Sequence, residues 1–414
     1  MLQTTIRKFL LGLPLIFAIG TTPANTAQSD ELHIYIDADF SIAPMVGEAI
    51  ELGLRAALAD TEGQIAGLPV SIRRLDHRTN PRRSHKNFET FLRDPHAIAM
   101  VGGQQSPPYL SYGTEINASR VPLLLAWSAA APLTRFAEGD QNHIFRLSVD
   151  DSKAGAFLVA QALADGCRDI ALLLADTGWG RANQININAA LGAHQLSPVT
   201  TITVPSDVGR ATARNVARDL QNSGAECSLA VLTNVTSSTI FAAMHEMQVD
   251  VDVFSHWGIF SPDFTRNVPH DVRQALNLRV LHTCALSLER SGSQVLDNAL
   301  HKARAIDNRI AVLGDIRAPA GFVNGYDLGR IFQAAIEQAA TSPAWDQSPV
   351  ARRDAFRAAL VSLEEPVEGI MKTYAPPFSR VSAANADGHE ALGQDSLCLA
   401  KFDRENRLVA AELR

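Results

Sequence analysis

Residues 97–134 read AIAMVGGQQSPPYLSYGTEINASRVPLLLAWSAAAPLT, and this stretch decides the fold. It contains two continuous apolar runs, AIAMV and VPLLLA, which are separated by a segment of helical length. Continuous apolar runs are typical of parallel strands that are covered on both faces. A right-handed crossover between two parallel strands places the loops that follow them at the same edge of the sheet. The stretch therefore predicts a strand–helix–strand unit of an α/β protein, a class in which ligands bind at that edge.

The two loops of this unit carry small and polar residues. Gly102 and Gly103 follow the first strand and permit a close approach of the backbone. Ser106 and Ser128 place hydroxyl groups beside the unpaired N–H groups of helix starts. The pattern predicts a ligand site, although each residue is equally consistent with an ordinary loop.

Strand-like and helix-like segments alternate along the rest of the chain. One doubly wound half begins at Leu32, and a second half occupies residues 152–255. The tail from residue 278 onward is too short for a third domain and should complete the first two. We therefore predict an α/β fold of two doubly wound parallel-sheet lobes joined by three hinge strands, with a cleft that closes on a ligand. The predicted bounds are 28–147 with 286–394 for lobe 1, and 148–285 with 395–414 for lobe 2.

The first 27 residues have the layout of a secretory signal peptide. Arg7 and Lys8 precede the apolar run FLLGLPLIFAIG, which is too short to span a membrane, and TTPANTA follows it. The first cysteine is Cys167, so no cysteine is present near the cleavage region to carry a lipid anchor. These features predict a periplasmic protein that is not a lipoprotein.

Composition and motifs exclude several functions. The formal net charge of −7 is unfavourable for nucleic-acid binding. No nucleophile elbow, zinc-protease helix, CxxC pair or phosphate loop is present. We expect neither catalysis, nor a cofactor, nor a metal site.

The four cysteines suit an oxidising compartment without requiring disulfides. Cys167 and Cys227 each precede a buried strand, so they form either a disulfide between neighbouring strands or two small buried side chains. No partner is assigned to Cys284 or Cys398.

Several motifs in a fixed order give the chain a family likeness. It resembles type I periplasmic solute-binding proteins, and more narrowly the leucine/isoleucine/valine-binding group that serves ABC importers. The likeness covers the chain from about Leu32 to Leu413. The motifs are the D-x-x-x-N-P segment at 76–81, VGG at 101–103, SAAAPLT at 128–134, HIFRLSVDD at 143–151, DTGWG at 176–180, GYDLG at 325–329 and LCLAKFDRENRLVAAEL at 397–413.

The resemblance implies a small-molecule ligand, an ABC permease at the inner membrane as partner, and particular site residues. Ser106 and Ser128 match the positions that bind a ligand carboxylate, and Trp179 matches an aromatic residue of the second lobe. Two positions depart from the pattern of amino-acid binders. Ala129 replaces a hydroxyl residue, and His256 with Trp257 stands where an acid commonly binds the ligand ammonium.

Aromatic residues suggest the nature of the ligand. Of four tryptophans, Trp127, Trp179 and Trp257 lie in loops at the carboxyl ends of predicted parallel strands. Indole rings stack on planar ligands and attract cations, so an amino-acid-like, aromatic or cationic solute is expected. Alternatively, these rings cap the cores of the lobes.

Asp39 and His256 are further candidates for contact with the ligand. Asp39 supplies either a charge at the cleft or a cap for the following helix. His256 either donates to a ligand or is buried beside Trp257. Two rival functions for the chain are a ligand sensor of the same fold and an enzyme that acts in the cleft.

Overall fold

The computed structural model describes residues 1–2, 31–260, 263–284 and 292–411. The chain divides into a unit Met1–Asp30 and a compact unit Glu31–Arg414. The predicted signal peptide lies almost wholly outside the described residues. Among the helices of the described ranges, none is long and apolar enough to cross a membrane.

Most strands belong to two sheets, which confirms the predicted fold class. The strands are β1 (Leu32–Ala38), β2 (Gln64–Ile65), β3 (Leu68–Asp76), β4 (Ala97–Gly102), β5 (Leu123–Leu125), β6 (Ile144–Arg146), β7 (Ile170–Ala175), β8 (Thr200–Val204), β9 (Cys227–Val231), β10 (Asp252–Ser255), β11 (Arg279–Thr283), β12 (Val367–Glu368), β13 (Thr373–Tyr374), β14 (Leu397–Phe402) and β15 (Leu408–Ala410).

The helices cover the faces of these sheets. They are α1 (Met45–Ala57), α2 (Pro81–Arg93), α3 (Ser106–Ala118), α4 (Asp151–Ala164), α5 (Gly178–Ala193), α6 (Arg210–Asn222), α7 (Asn234–Glu246), α8 (Phe264–Asn267), α9 (His270–Ala275), α10 (Gln294–Ile306), α11 (Pro319–Ala339) and α12 (Pro349–Leu360).

The first lobe is built on a six-stranded sheet in the order β2-β3-β1-β4-β5-β6. Strands β1 and β4 pair in parallel and are buried at every position, as expected when helices cover both faces of a sheet. Helices α1, α10 and α11 pack together beside it. The loops after β4 and β5 therefore lie at the same edge, as the quoted stretch predicts.

The second lobe is built on a seven-stranded sheet in the order β15-β14-β11-β10-β9-β7-β8. Strands β7 to β11 are parallel, whereas β14 and β15 form an antiparallel hairpin at the edge. One hydrophobic cluster extends through both lobes, and each lobe has a further cluster of its own.

A buried ion pair links two chain segments that pass between the lobes. Arg146 ends β6 before the chain enters α4, and Glu390 lies in the segment that returns to β14. The guanidinium donates Nε to Glu390 Oε2 at 2.7 Å and Nη2 to Oε1 at 2.6 Å. Arg146 N donates to His389 O, and Ala391 N donates to Arg146 O. These backbone and side-chain bonds hold the two segments side by side.

Both cysteine pairs are at disulfide distance. Cys167 and Cys227 are bonded with Cα atoms 6.2 Å apart, which confirms the disulfide alternative for this pair. Cys284 and Cys398 are also bonded, with Cα atoms 4.9 Å apart, although the sequence suggested no partner for either. The second bond joins the end of β11 to β14, because these strands are neighbours.

Candidate functional site

A cavity lies between the two lobes and receives side chains from both. The cavity has a volume of about 40 Å³, counted as the space that the centre of a water molecule can occupy. We call it the interlobe cavity; its lining residues are Trp127, Ser148, Val149, Trp257, Phe260, His282, Thr283, Ala320 and Asn324.

Trp127 and Trp257 form walls from opposite lobes. Trp127 follows β5 of the first sheet and Trp257 follows β10 of the second, so each lies at the carboxyl edge of its own sheet. Both rings are half-buried. Phe260, close to Trp257 in the sequence, adds a third aromatic ring to the cavity lining. Both tryptophans were predicted to face the cleft, and the structure brings them together at one cavity.

Trp179 is placed behind this wall. Its ring contacts the His256 ring edge-on, with centroids 5.1 Å apart, and the Trp257 ring lies 4.8 Å from the same histidine. A Cβ atom at Gly258 would lie 2.6 Å from the Trp179 ring, so the indole occupies the space that this glycine leaves. Trp179 does not line the cavity; it supports the histidine and the loop that carries Trp257.

His256 is buried and lies close to an acidic residue. Its Nε2 atom is 3.2 Å from Oδ1 of Asp151, the first residue of α4. This places the imidazole within the second lobe, between Trp179 and Trp257. Its direct contact with a ligand stays a prediction.

The predicted serines lie at the carboxyl edge but outside the cavity lining. Ser128 Oγ donates to Gly103 O at 2.7 Å and joins the two loops. Ser106 Oγ accepts from Ala130 N at 3.2 Å. Ala129 O accepts from Asp151 N at 2.9 Å, which ties this edge to the second lobe. These contacts show how the loops hold their shape, and the ligand roles of the three residues remain predictions.

Asp39 has a local role in the loop between β1 and α1. Its Oδ1 atom accepts from Ser41 N at 3.1 Å and Ile42 N at 2.7 Å, and Oδ2 accepts from Thr79 Oγ1. Although burial opposes them, these hydrogen bonds hold the pKa of Asp39 below its usual value. The carboxylate thus organises the loop, and its predicted contact with a ligand is not supported by a place in the cavity lining.

Four polar lining residues were not predicted from the sequence: Ser148, His282, Thr283 and Asn324. Asn324 lies in α11 and donates Nδ2 to Ala126 O at 2.6 Å, next to Trp127. His282 lies in β11 and is 1% exposed. Burial is the main cause that lowers the pKa of His282 to about 4, against a smaller opposing effect of the Thr283 backbone. The imidazole is therefore neutral near pH 7.

The lining combines aromatic walls with a few neutral polar groups. Among the described residues that line the cavity there is no carboxylate or other charged side chain. Aromatic walls with a few placed polar groups are characteristic of small-molecule sites. The arrangement can hold a small solute between residues of both lobes.

The fold and this cavity define a two-lobed ligand-binding protein. A family model described as periplasmic binding protein matches residues 38–389. Because the match spans most of the chain, the chain belongs to the periplasmic binding protein family. No curated protein matches the chain in sequence.

Solved structures of ABC transporter proteins share the fold. One is described as a branched-chain amino acid ABC transporter from Rhodospirillum rubrum, with 16% identity, a TM-score of 0.61, and 92% of this chain and 100% of that chain covered. A solute-binding protein from R. palustris in complex with 4-hydroxybenzoate has 15% identity and a TM-score of 0.71. The match covers 93% of this chain and 96% of that chain. Another from R. palustris, in complex with benzoate, has 13% identity and a TM-score of 0.70. The match covers 92% of this chain and 96% of that chain.

Proposed function

We propose that this protein is the periplasmic substrate-binding component of an ABC importer and that it captures a planar aromatic solute. The observation that carries the proposal is that Trp127 and Trp257, from different lobes, line one cavity. The proposal is supported by the family match and by neighbours of the same fold that hold benzoate and 4-hydroxybenzoate. Binding to an ABC permease and the absence of catalysis are part of the proposal.

The composition of the cavity favours an aromatic solute over an amino acid or an organic cation. A buried primary ammonium needs a carboxylate or several acceptors, and a buried carboxylate needs donors, because an unpaired charge is costly to remove from water; we therefore place the ring of the solute in the described cavity and its charged group outside it. The part of the lining that the structure describes offers no carboxylate, and the buried Asp151 lies against His256. An aromatic ring, in contrast, gains from stacking on indole faces and from the burial of apolar surface.

Closure of the lobes follows from contacts made on both sides. A ligand stabilises the closed form only by the free energy with which it binds that form more tightly than the open form. A ring between Trp127 and Trp257 makes contacts with both lobes only when the lobes are close. The closed, loaded protein is then the form that a permease recognises.

The proposal is tested by thermal shift and calorimetry on the mature protein with benzoate, 4-hydroxybenzoate, leucine and choline. Saturation at about 100 times the dissociation constant should add about 2.7 kcal/mol to the free energy of unfolding. We expect stabilisation by aromatic acids and none by leucine or choline. Trp257→Ala should weaken binding about tenfold or more, because it removes one aromatic wall.

Trp345→Phe is the matched control, because Trp345 is buried in the core and does not line the cavity. It should leave the dissociation constant unchanged. Stabilisation by leucine with no effect of aromatic acids would overturn the aromatic assignment. Equal losses of affinity in Trp257→Ala and Trp345→Phe would overturn the placement of the site.

A further inference from the structure

The interlobe cavity has polar groups that lack partners within the described part of the chain. Beyond the small effect of the Thr283 backbone, neither ring nitrogen of His282 makes a hydrogen bond of normal geometry there, and Oδ1 of Asn324 makes none. His282 is 1% exposed and Asn324 is 5% exposed. Both line the cavity. Buried polar groups are nearly always paired in folded proteins, and we infer that a ligand in the cavity supplies the partner of these atoms.

The orientation of Asn324 determines what that partner must offer. Its Nδ2 atom donates to Ala126 O at 2.6 Å, which directs the amide and leaves Oδ1 as the free group. An amide oxygen accepts hydrogen bonds and cannot donate them. The group opposite Asn324 must therefore be a donor.

His282 provides the complementary chemistry. The neutral imidazole has one N–H donor and one nitrogen acceptor, and its low pKa of about 4 keeps it neutral at the pH of the periplasm. A hydroxyl group is both a donor and an acceptor. A hydroxyl placed between the two side chains would donate to Asn324 Oδ1 and accept from the N–H of His282.

We propose that His282 and Asn324 recognise a hydroxyl group on the ring of the ligand, so that the preferred solute is a hydroxylated aromatic acid. The inference rests on the proposed function, since it assigns the polar end of the same cavity. The carboxylate of the solute is directed away from this end. A carboxylate has acceptors only and would face the Asn324 oxygen, and an ammonium has donors only and would lack a counter-charge.

The test compares matched pairs of ligands by calorimetry on the mature protein. The pairs are benzoate with 3- and 4-hydroxybenzoate, phenylacetate with 4-hydroxyphenylacetate, and cinnamate with 4-hydroxycinnamate. We expect at least one hydroxylated acid to bind about tenfold or more tightly than its parent, because the parent leaves the buried groups unpaired.

Variants show whether the preference comes from His282. His282→Leu should bring the ratio of the two dissociation constants close to one, because it weakens the hydroxylated acid more than the parent acid. His282→Gln should retain part of the preference, because its amide also donates and accepts. His301→Gln is the matched control on the exposed surface of α10 and should leave both constants unchanged. Circular dichroism of each variant establishes that the fold is intact.

The outcomes separate this inference from the proposed function. If the parent and hydroxylated acids bind the wild type equally well, or if His282→Leu keeps the preference, the inference is wrong and the aromatic-binding function stands. If none of the aromatic acids binds, the proposed function is wrong and the inference fails with it.

Discussion

Asp37 is a carboxylate buried beneath the loop that joins β4 to α3. It has no exposed surface, and its oxygens accept hydrogen bonds from Ser84 Oγ and from Asn87 Nδ2, the latter at 2.6 Å. The backbone oxygen of the same residue accepts from Gly103 N at 3.0 Å and Tyr109 OH at 2.6 Å. Asp37 therefore holds the glycine turn at the edge of the first lobe.

The burial of this carboxylate predicts a specific dependence of stability on pH. Burial raises the pKa of Asp37 to about 7, although its hydrogen bonds act in the opposite direction. The folded state therefore binds the proton more tightly than the unfolded state, whose pKa is near 3.8. The resulting stabilisation is full below about pH 4 and is lost as the pH rises towards 7. Asp37→Asn should remove this contribution, which we expect to be a few kcal/mol, because an amide does not titrate.

The measurement is urea unfolding of wild type and Asp37→Asn at pH 5, 6, 7 and 8. The wild-type free energy of unfolding minus that of the variant should fall as the pH rises from 5 to 7 and then level off. Asp297→Asn, at an exposed position in α10, should show no such trend. A constant difference between wild type and Asp37→Asn across the range would contradict the raised pKa.

Only part of the cavity was predictable residue by residue. Trp127 and Trp257 follow parallel strands, and the rule that such loops meet at one edge is enough to find them. His282 lies inside strand β11 and Asn324 inside helix α11. Their positions in the sequence pattern do not differ from those of residues that simply pack in the core. Which side of an element faces a cavity depends on how the two lobes are assembled, and a single sequence does not encode that in a local pattern. The serines were found at the correct edge, yet their hydroxyls bond to the loops themselves.

At the scale of elements, helices α1 and α11 make an unusually close contact. A Cβ atom at Gly325 would lie 2.2 Å from Ile50 O, and one at Gly53 would lie 2.2 Å from Phe322 O. The two glycines thus allow the helix backbones to touch. This contact positions α11, and with it Asn324 and Ala320 at the cavity.

We expect Gly325→Ala to lower the free energy of unfolding by about 3 kcal/mol, because the added methyl group forces the two helices apart. It should also weaken ligand binding, since the shift of α11 moves Asn324. Thermal unfolding and calorimetry measure the two effects. Gly314→Ala is the control, because a Cβ atom there would meet nothing within 4 Å. Equal stability of the two variants would refute the close contact.

Most elements were predictable, and the reasons are local. Asn followed by Pro is a typical helix start, and the Asn80 side chain accepts from Arg82 N at 2.9 Å and Arg83 N at 3.3 Å at the start of α2. The two-residue strands β12 and β13 were missed, since they are too short to show a period. Their segment is held instead by the buried Asp327, which accepts from Ile370 N at 2.5 Å and Tyr374 OH at 2.8 Å. A contact between residues so far apart in the sequence leaves no local pattern from which it could be predicted.

At the scale of the whole molecule, both disulfides lie in the sheet of the second lobe but differ in their relation to the cavity. Cys167–Cys227 joins the starts of β7 and β9, on the side of the sheet away from the ligand edge. Cys284–Cys398 follows Thr283, which lines the cavity, and ties β11 to β14, where the chain passes between the lobes. One bond therefore stabilises a lobe, and the other also holds a wall of the site.

Replacing each cysteine pair by serine should separate these two roles. Each double variant should lose about 2–4 kcal/mol of stability, because the unfolded chain regains entropy in loops that span 60 and 114 residues. Cys284→Ser with Cys398→Ser should also weaken binding of an aromatic acid, about fivefold or more, since Thr283 and His282 are no longer held in place. Cys167→Ser with Cys227→Ser should leave affinity unchanged when both are measured well below the unfolding temperature. Equal affinities in the two double variants would show that the wall of the cavity keeps its geometry without the bond at Cys284, and that the strand pairing of β11 with β14 alone is sufficient.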